Sequence, residues 1–385
     1  MLDLINNFLT NNSKNKLAII QIHNGSQQPL NSNLEKLLNN MTIAYFKDIK
    51  LDNAIPIDLV DLQNHFIDFD RKFNGDKYLD TKFISDVKKM NLTYSIKMQI
   101  LKDTIIINLL VNILCVKLIA SILHALHTFC NMFPYNYDGL TINICLDDNH
   151  RDINWQLPRD ELFDYVKKKS LAFNVSGVTR RDKRVIDLTK QEEIIKLMYH
   201  ELVHYIGLDS LLVGQYVNFG FAITKPNVNV SEAYTEFMAI LLNSAYISIR
   251  LMTKKNNLNC CTYDMYKRLI SLETKYSIYL TANILKLYGY NHQTFRNFFD
   301  GIGQKNYSPI YIWEYVILRS QLLINLNKIT DDIVADWRVI NSHKIIDLMR
   351  INNKMIDEIQ LVMAYTNPID NLSYTAIELD WNLIN

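Results

Sequence analysis

The segment His200-Glu201-Leu202-Val203-His204 sets two imidazoles and a carboxylate at a spacing with a definite chemical use. On an α-helix, residues i and i+4 lie about 40° apart around the axis, so both rings can meet one tetrahedral Zn²⁺ at about 2.0–2.1 Å from each ligating nitrogen. Glu201 is turned about 100° from His200, which places its carboxylate beside such a metal as a base for bound water instead of among the ligands. The competing reading is a pair of helix histidines satisfied by hydrogen bonds, with no metal. H-E-x-x-H is an uncommon string in a chain with nine histidines, and the pattern around it suits the metal reading.

The helix that must carry the motif is bounded by recognisable signals. Thr189-Lys190-Gln191-Glu192 fits a capping box, with Thr189 as N-cap and Glu192 three residues on, and Gly207 supplies a left-handed stop after about 17 residues. Upstream, Ser170 to Thr179, the polar turn Arg180-Arg181-Asp182-Lys183 and Arg184 to Thr189 predict a hairpin, with Gly177 suited to a bulge. Leu140 to Asp147 alternates and is β-branched, as a strand should be. Downstream, a second helix is expected over Ser231 to Ile249, started by Asn229 or Ser231 after Pro226. Further helices are expected near Tyr266 to Leu287, Pro309 to Ile324 and Asp332 to Leu361.

Residues 1–135 read mainly as helices, because apolar residues recur at three and four from Leu92 to Asp103 and a long apolar run follows from Thr104 to Cys130. That run is long enough to span a bilayer, yet it carries Asn108, Asn112, Lys117, His124 and His127, so a buried core helix is expected and a membrane span is not. The fold class is therefore α+β, mostly helical, with a small mixed sheet before the motif helix. Three regions are expected: a helical N-terminal region (1–135), a catalytic core (136–250) and a helical C-terminal subdomain (251–385).

With these elements in place the chain resembles the zincin metallopeptidases, and most nearly the gluzincin branch, whose thermolysin-like members follow H-E-x-x-H with N-E-x-x-S-D on a second helix. Here the second segment is Ser231-Glu232-Ala233-Tyr234-Thr235-Glu236. Ser231 stands where the family has Asn, Glu232 where it has its glutamate ligand, Thr235 where it has Ser, and Glu236 where it has Asp. The resemblance implies one Zn²⁺ per chain held by His200, His204 and Glu232, with Glu236 accepting a hydrogen bond from the other ring nitrogen of a ligand histidine. It also implies hydrolysis of a peptide or protein substrate with Glu201 as general base, and a Tyr or His from the C-terminal part as donor to the oxyanion. Tyr307, Tyr311, Tyr315, His292 and His343 are eligible for that role. Tyr315 is favoured because Tyr311, Tyr315 and Arg319 fall four apart on one helix face, where Arg319 either binds a substrate carboxylate or forms a surface ion pair.

The string continuing to Ser210 is also similar to the metzincin pattern, since Gly207 falls in place. Ser210 stands at that family's third-ligand position with Asp209 one residue early, so Asp209 is the runner-up ligand. The resemblance spans about Ser170 to Ala245, and its texture is similar to uncharacterised zincin-like proteins of large DNA viruses. In zincins an edge strand before the metal helix pairs with the substrate backbone, and Ala172 to Thr179 is the segment placed to do so; an interior strand satisfies the sequence equally. The rival reading is a zincin-fold structural or interaction protein without turnover. A membrane-embedded protease is disfavoured by Lys190, Gln191, Glu192, Glu193 and Lys196, which precede the motif on its own helix.

Composition narrows the partners. Lys plus Arg is 41 and Asp plus Glu is 40, so no chain-wide positive field for nucleic acid or anionic membrane exists. Lys167, Lys168, Lys169, Arg180, Arg181, Lys183 and Arg184 form a local basic cluster, explained by a solvated hairpin tip or by an acidic partner. Five cysteines without a C-x-x-C, and an N-terminus without a basic and apolar leader, predict reduced thiols and an intracellular, cytoplasmic protein that is not secreted.

Overall fold

The computed structural model describes residues 5, 7–20, 32–74, 80–148, 150–168, 175–254, 260–303, 312–335, 337–365 and 371–380. Its centre is a six-stranded mixed sheet of β1 (Lys50–Asn53), β2 (Leu92–Ile100), β3 (Asp103–Val111), β4 (Thr141–Cys145), β5 (Gly177–Arg180) and β6 (Val185–Leu188), in the order β1-β2-β3-β4-β6-β5. The β3/β4 and β4/β6 pairs are parallel and the other pairs antiparallel. Before and between these strands come α1 (Asn11–Ile20), α2 (Ser32–Tyr45), α3 (Leu59–Asn74), α4 (Thr81–Lys89), α5 (Val116–Met132) and α6 (Arg159–Lys168). After the sheet the chain is mainly helical: α7 (Ile194–Ile206), α8 (Val230–Lys254), α9 (Cys260–Leu287), α10 (Arg296–Phe299), α11 (Ile312–Ile324), α12 (Ser342–Met349) and α13 (Asn353–Tyr365). The fold is α+β.

Both faces of the sheet are covered. Leu62, Phe66, Phe83 and Val87 of α3 and α4 pack on Leu110 and Cys145 on one side, while α5 and α7 belong to the large core on the other. The first face also carries a row of polar side chains joined across the strands. Ser95 donates to Asn108 (2.8 Å), Asn108 to Asn143 (2.9 Å) and Asn143 to Asp187 (2.8 Å), and Asp187 is met by His65 and Arg180. Because these residues are register partners, a slip of one position would strand buried polar groups, so the row fixes the pairing.

Two expectations for the first 135 residues are overturned. Leu92 to Asp103 forms strand β2 and the start of β3, and the run from Thr104 divides into strand β3 and, after Asn112, helix α5. Leu92, Tyr94, Ile96, Met98 and Ile100 also alternate, and the strand periodicity prevails because β3 offers a partner along its whole length. β3 is itself covered on both faces, so its sequence reads as one unbroken apolar run leading into a helix. The sheet therefore takes strands from both sides of residue 135, and the N-terminal region is not simply helical. Among the described residues no helix is long and apolar enough to cross a membrane. A smaller correction concerns Asp332 to Leu361, which forms a short hairpin of β9 (Val334–Ala335) and β10 (Val339–Ile340) before α12 and α13; β7 (Tyr216–Asn218) and β8 (Asn227–Asn229) make another hairpin ahead of α8.

Residues 371–380 run through the interior as an irregular strap. The ring of Tyr374 lies beneath the Arg151 guanidinium at 3.9 Å, Glu273 accepts from the amides of Ala376 (2.9 Å) and Ile377 (3.0 Å), and Leu379 bridges to Leu9. This strap also reaches the helix that bears the motif.

Candidate functional site

Helix α7 is buried along most of its length and ends as expected at Gly207, which adopts φ 73° and returns its amide to the carbonyl of His204. Its start is different. Glu193 occupies the N-cap with φ 61° and no side-chain cap, so the expected capping box does not form. Thr189 instead donates to the carbonyl of Ser176 (3.0 Å), and Glu192 pairs with Lys190 (2.7 Å) and accepts from Asn371 (2.9 Å). The strap supplies the missing cap: Glu378 accepts from the amide of Glu193 (3.0 Å), and the Glu193 carboxylate accepts from the amide of Thr375 (2.7 Å) and from Arg151 (2.5 Å). Lys190, Glu192, Glu193 and Lys196, expected as a polar approach to the motif, are all buried in ion pairs.

His200 and His204 project from α7 toward Glu232, which stands in the first turn of α8 after Asn229 accepts from the amide of Ser231 (3.1 Å). The Nε2 atoms lie 3.3 Å and 3.4 Å from the same Glu232 oxygen, Oε2, and one ligating atom from each of the three residues falls within 4.8 Å of the others. The rings are held from behind. His204 Nδ1 is 2.8 Å from Asp209 Oδ2, which also accepts from Ser231 Oγ at 2.5 Å. His200 Nδ1 is 3.1 Å from Glu236 Oε1, close but off the direction of a well-aligned hydrogen bond. Two nitrogens and a carboxylate oxygen facing one point, with each imidazole backed by a carboxylate, form a donor set suited to Zn²⁺. Asp209 thus sits behind His204 and not among the converging atoms, as its hydrogen bond to Nδ1 requires.

Glu236 has a second task. Lys196 Nζ is 2.7 Å from its Oε1 and Arg319 Nη1 is 3.2 Å from its Oε2, and all three side chains are buried. Arg319 also donates to the carbonyl of Tyr374 (2.9 Å) and to Ser277 Oγ (3.1 Å), so it is neither a surface cation nor available to a substrate. Glu236→Ala would leave two buried cations without their carboxylate, and we expect it to destabilise the metal-free protein by about 3–5 kcal/mol, read as a lower urea midpoint. An unchanged midpoint would mean the pair with Lys196 and Arg319 carries no stability.

The charges of the metal-free site are interdependent. Burial alone would lower the pKa of His200, but Glu232 and Glu236 outweigh it and raise it to about 9. His204 is held well above its usual value in the same way, by Asp209 and Glu232 against burial. Glu232, which burial would raise, is held below the usual carboxylate range by the two imidazoles. Below pH about 9 a metal must therefore displace protons from the histidines, so zinc affinity should climb between pH 7 and about 9 and binding at pH 7 should release protons. Calorimetry in buffers of different ionisation enthalpy measures that release; proton-neutral binding would contradict the assignment.

Glu201 lies beside His200, His204 and Glu232, against strand β5. Thr179 Oγ1 donates to its Oε2 at 2.8 Å and is 2.9 Å from its main-chain oxygen. Gly177 is a regular register partner of Leu188 and makes no bulge; its glycine is needed because a Cβ there would lie 2.6 Å from Glu201 Oε1. Burial raises the Glu201 pKa, while both imidazoles and the Thr179 hydroxyl lower it. Strand β5 is the last in the strand order of the sheet, and its residues Gly177, Val178 and Thr179 line the cleft. Ala172, Phe173 and Asn174 fall outside the described residues.

The cleft has a volume of about 530 Å³, and a neighbouring pocket of about 360 Å³, walled by Tyr216, Ile223 and Val228, shares Glu232 and Tyr315 with it. Tyr315 lines both, and burial, with Glu232 and Glu236 nearby, raises its phenol well above the usual value, so it is a neutral donor. His292 and His343 are exposed and away from the cleft, and Tyr307 and Tyr311 fall outside the described residues. Sequence reasoning missed Thr179, Gly177 and Lys196. The alternation of the hairpin, which puts residues 177 and 179 on one face, was the available signal for the first two.

No family model and no solved structure matches this chain. Over 383 residues it is 40% identical to "Uncharacterized protein R210" of Acanthamoeba polyphaga mimivirus, with 98% of each chain covered. Identity at that level along nearly the whole length of both proteins means that the chain belongs to the same family as that mimivirus protein.

Proposed function

We propose that this chain is a zinc-dependent metallopeptidase of gluzincin-like type, acting on a peptide or protein substrate. The observation that carries the reading is the meeting of His200, His204 and Glu232 at one point with Glu201 alongside, in an open cleft. A bound Zn²⁺ would supply a polarised water and an electrophile for the scissile carbonyl. Glu201 takes the proton of the attacking water on its carboxylate and delivers it to the leaving amine. Thr179 keeps that carboxylate turned toward the cleft, and the Tyr315 hydroxyl donates to the oxygen on which charge develops. The viral relative and the free thiols of Cys130 and Cys145 support a place in the host-cell cytoplasm or the virion.

The test is direct. The purified chain should hold about one equivalent of zinc and cleave an unfolded protein or a peptide library, lose that activity to a chelator and regain it with zinc. Zinc without cleavage of any substrate would replace the peptidase with a non-hydrolytic zincin-fold interaction protein. Thr179→Val should lower kcat by about tenfold with zinc content unchanged, because an unanchored carboxylate spends less time in position, and Thr179→Ser should restore it. Equal rates for Val and Ser would remove Thr179 from the mechanism.

A further inference from the structure

We propose that Arg181 makes this cleft select a substrate bearing a carboxylate close to the bond to be cleaved. The inference rests on the peptidase reading and names the chemistry of its substrate. The basic residues at the end of the β5–β6 hairpin divide sharply by what they touch. Arg180 is paired with Asp187 of the buried polar row, and Arg184, in a left-handed conformation, donates to the carbonyl of Asp138. Arg181 turns the other way and lines the cleft together with His200, Glu201 and His204.

Its guanidinium lies over the C-terminal end of α7, where the absence of a side chain on Gly207 makes room for it: a Cβ at Gly207 would be 3.1 Å and 3.2 Å from the two terminal nitrogens. The negative end of the helix dipole favours a cation there, but the position leaves most of its five N–H groups uncommitted. Its side-chain hydrogen bond is a long one, 3.4 Å to Tyr135 Oη, and among the described residues no carboxylate comes within 4.0 Å. The carboxylates that line the cleft are engaged elsewhere. Glu232 faces both imidazoles, Asp209 holds His204 and Ser231, Glu236 holds Lys196 and Arg319, and Glu201 accepts from Thr179.

An arriving carboxylate therefore meets an exposed, planar, permanently charged donor beside the reacting groups. Position follows from the strand. Thr179 touches Glu201, and Arg181 opens the 3₁₀ turn just past the end of β5 with its guanidinium against Gly207 in the cleft wall, so an extended chain lying along β5, advancing about 3.4 Å per residue, carries a carboxylate two or three residues from the scissile bond toward it. That carboxylate belongs either to an Asp or Glu side chain or to the free end of the peptide.

The experiment uses the full chain, zinc-loaded, with Glu201→Gln to hold peptides without cleaving them. Fluorescently labelled peptide pools, each with Glu or Gln fixed at one position, are titrated with amidated and with free C-termini. The expected result is about 10–100-fold tighter binding of pools with Glu at one position, or of pools with a free terminus, the two arms telling the sources apart. Adding Arg181→Gln should abolish the preference, and Arg181→Lys should restore part of it; zinc content and thermal midpoint check that both variants are folded. Equal binding of Glu and Gln pools with either terminus, a preference that survives Arg181→Gln, or no binding of any pool would overturn the proposal. Cleavage by the unmodified chain is scored separately. Cleavage without acid preference leaves the peptidase and removes the selectivity, whereas Arg181-dependent acid binding without cleavage leaves the selectivity and removes the peptidase.

Discussion

Glu232→Ala should all but empty the metal site. Both Nε2 atoms approach the same Glu232 oxygen, while the opposite nitrogens keep Glu236 and Asp209, so the substitution deletes one ligating atom and leaves both rings aimed. The loss should exceed the about 10–100-fold in zinc affinity expected for a residue that only orients a ligand, such as Asp209, and competition with a chromogenic chelator would measure both. Two imidazoles alone do not make the closed set of three protein ligands that a catalytic zinc requires. Should Asp209→Asn lose zinc while Glu232→Ala keeps it, the roles of the two acids are reversed.

The second large effect is on turnover alone. Glu201→Gln should leave zinc content at the level of the unmodified chain, because Glu201 is not among the converging ligands, yet lower kcat by about 10²–10⁴-fold, because the amide cannot take up the water's proton. The substitution is nearly isosteric, so the side chain still fits the space that Gly177 leaves by lacking a Cβ, and the amide oxygen can still accept from Thr179. Hydrolysis at an undiminished rate would mean that another group is the base, and zinc loss would mean that the carboxylate helps hold the metal.

The parts of this molecule legible in its sequence are those fixed by local spacing. The pairing of His200 with His204 follows from helix periodicity, while Glu232 beside them and Glu236 behind His200 were implied by the resemblance to the gluzincins, with their four-residue spacing on one helix in agreement. Gly207 as a helix stop and β5–β6 as a hairpin follow from turn chemistry. What was not legible depends on partners far away in the chain. Strand β2 carried an ambiguous period that only its pairing with β3 resolves, and β3 lost its alternation because both its faces are covered. Thr189 and Glu192 had the right types for a capping box, but Ser176 and Asn371 claim their side chains. Arg319 had the spacing of a substrate-binding cation, and its actual partner, Glu236, is 83 residues earlier.

The strap formed by residues 371–380 has a consequence for biosynthesis. The amide of Glu193, at the head of the helix that carries His200 and His204, is satisfied by Glu378, 185 residues later in the chain. At about 5–20 residues per second, a ribosome needs about 10–40 s to make that distance. During that interval the motif helix has emerged without its cap, Arg151 has Glu193 but not the Tyr374 ring beneath it, and Arg319 lacks the carbonyl that holds it against Glu236. His200, His204 and Glu232 are thus translated well before the strap that completes the packing at the head of their helix, so this cluster is locked in place only once residues 371–380 have joined the core.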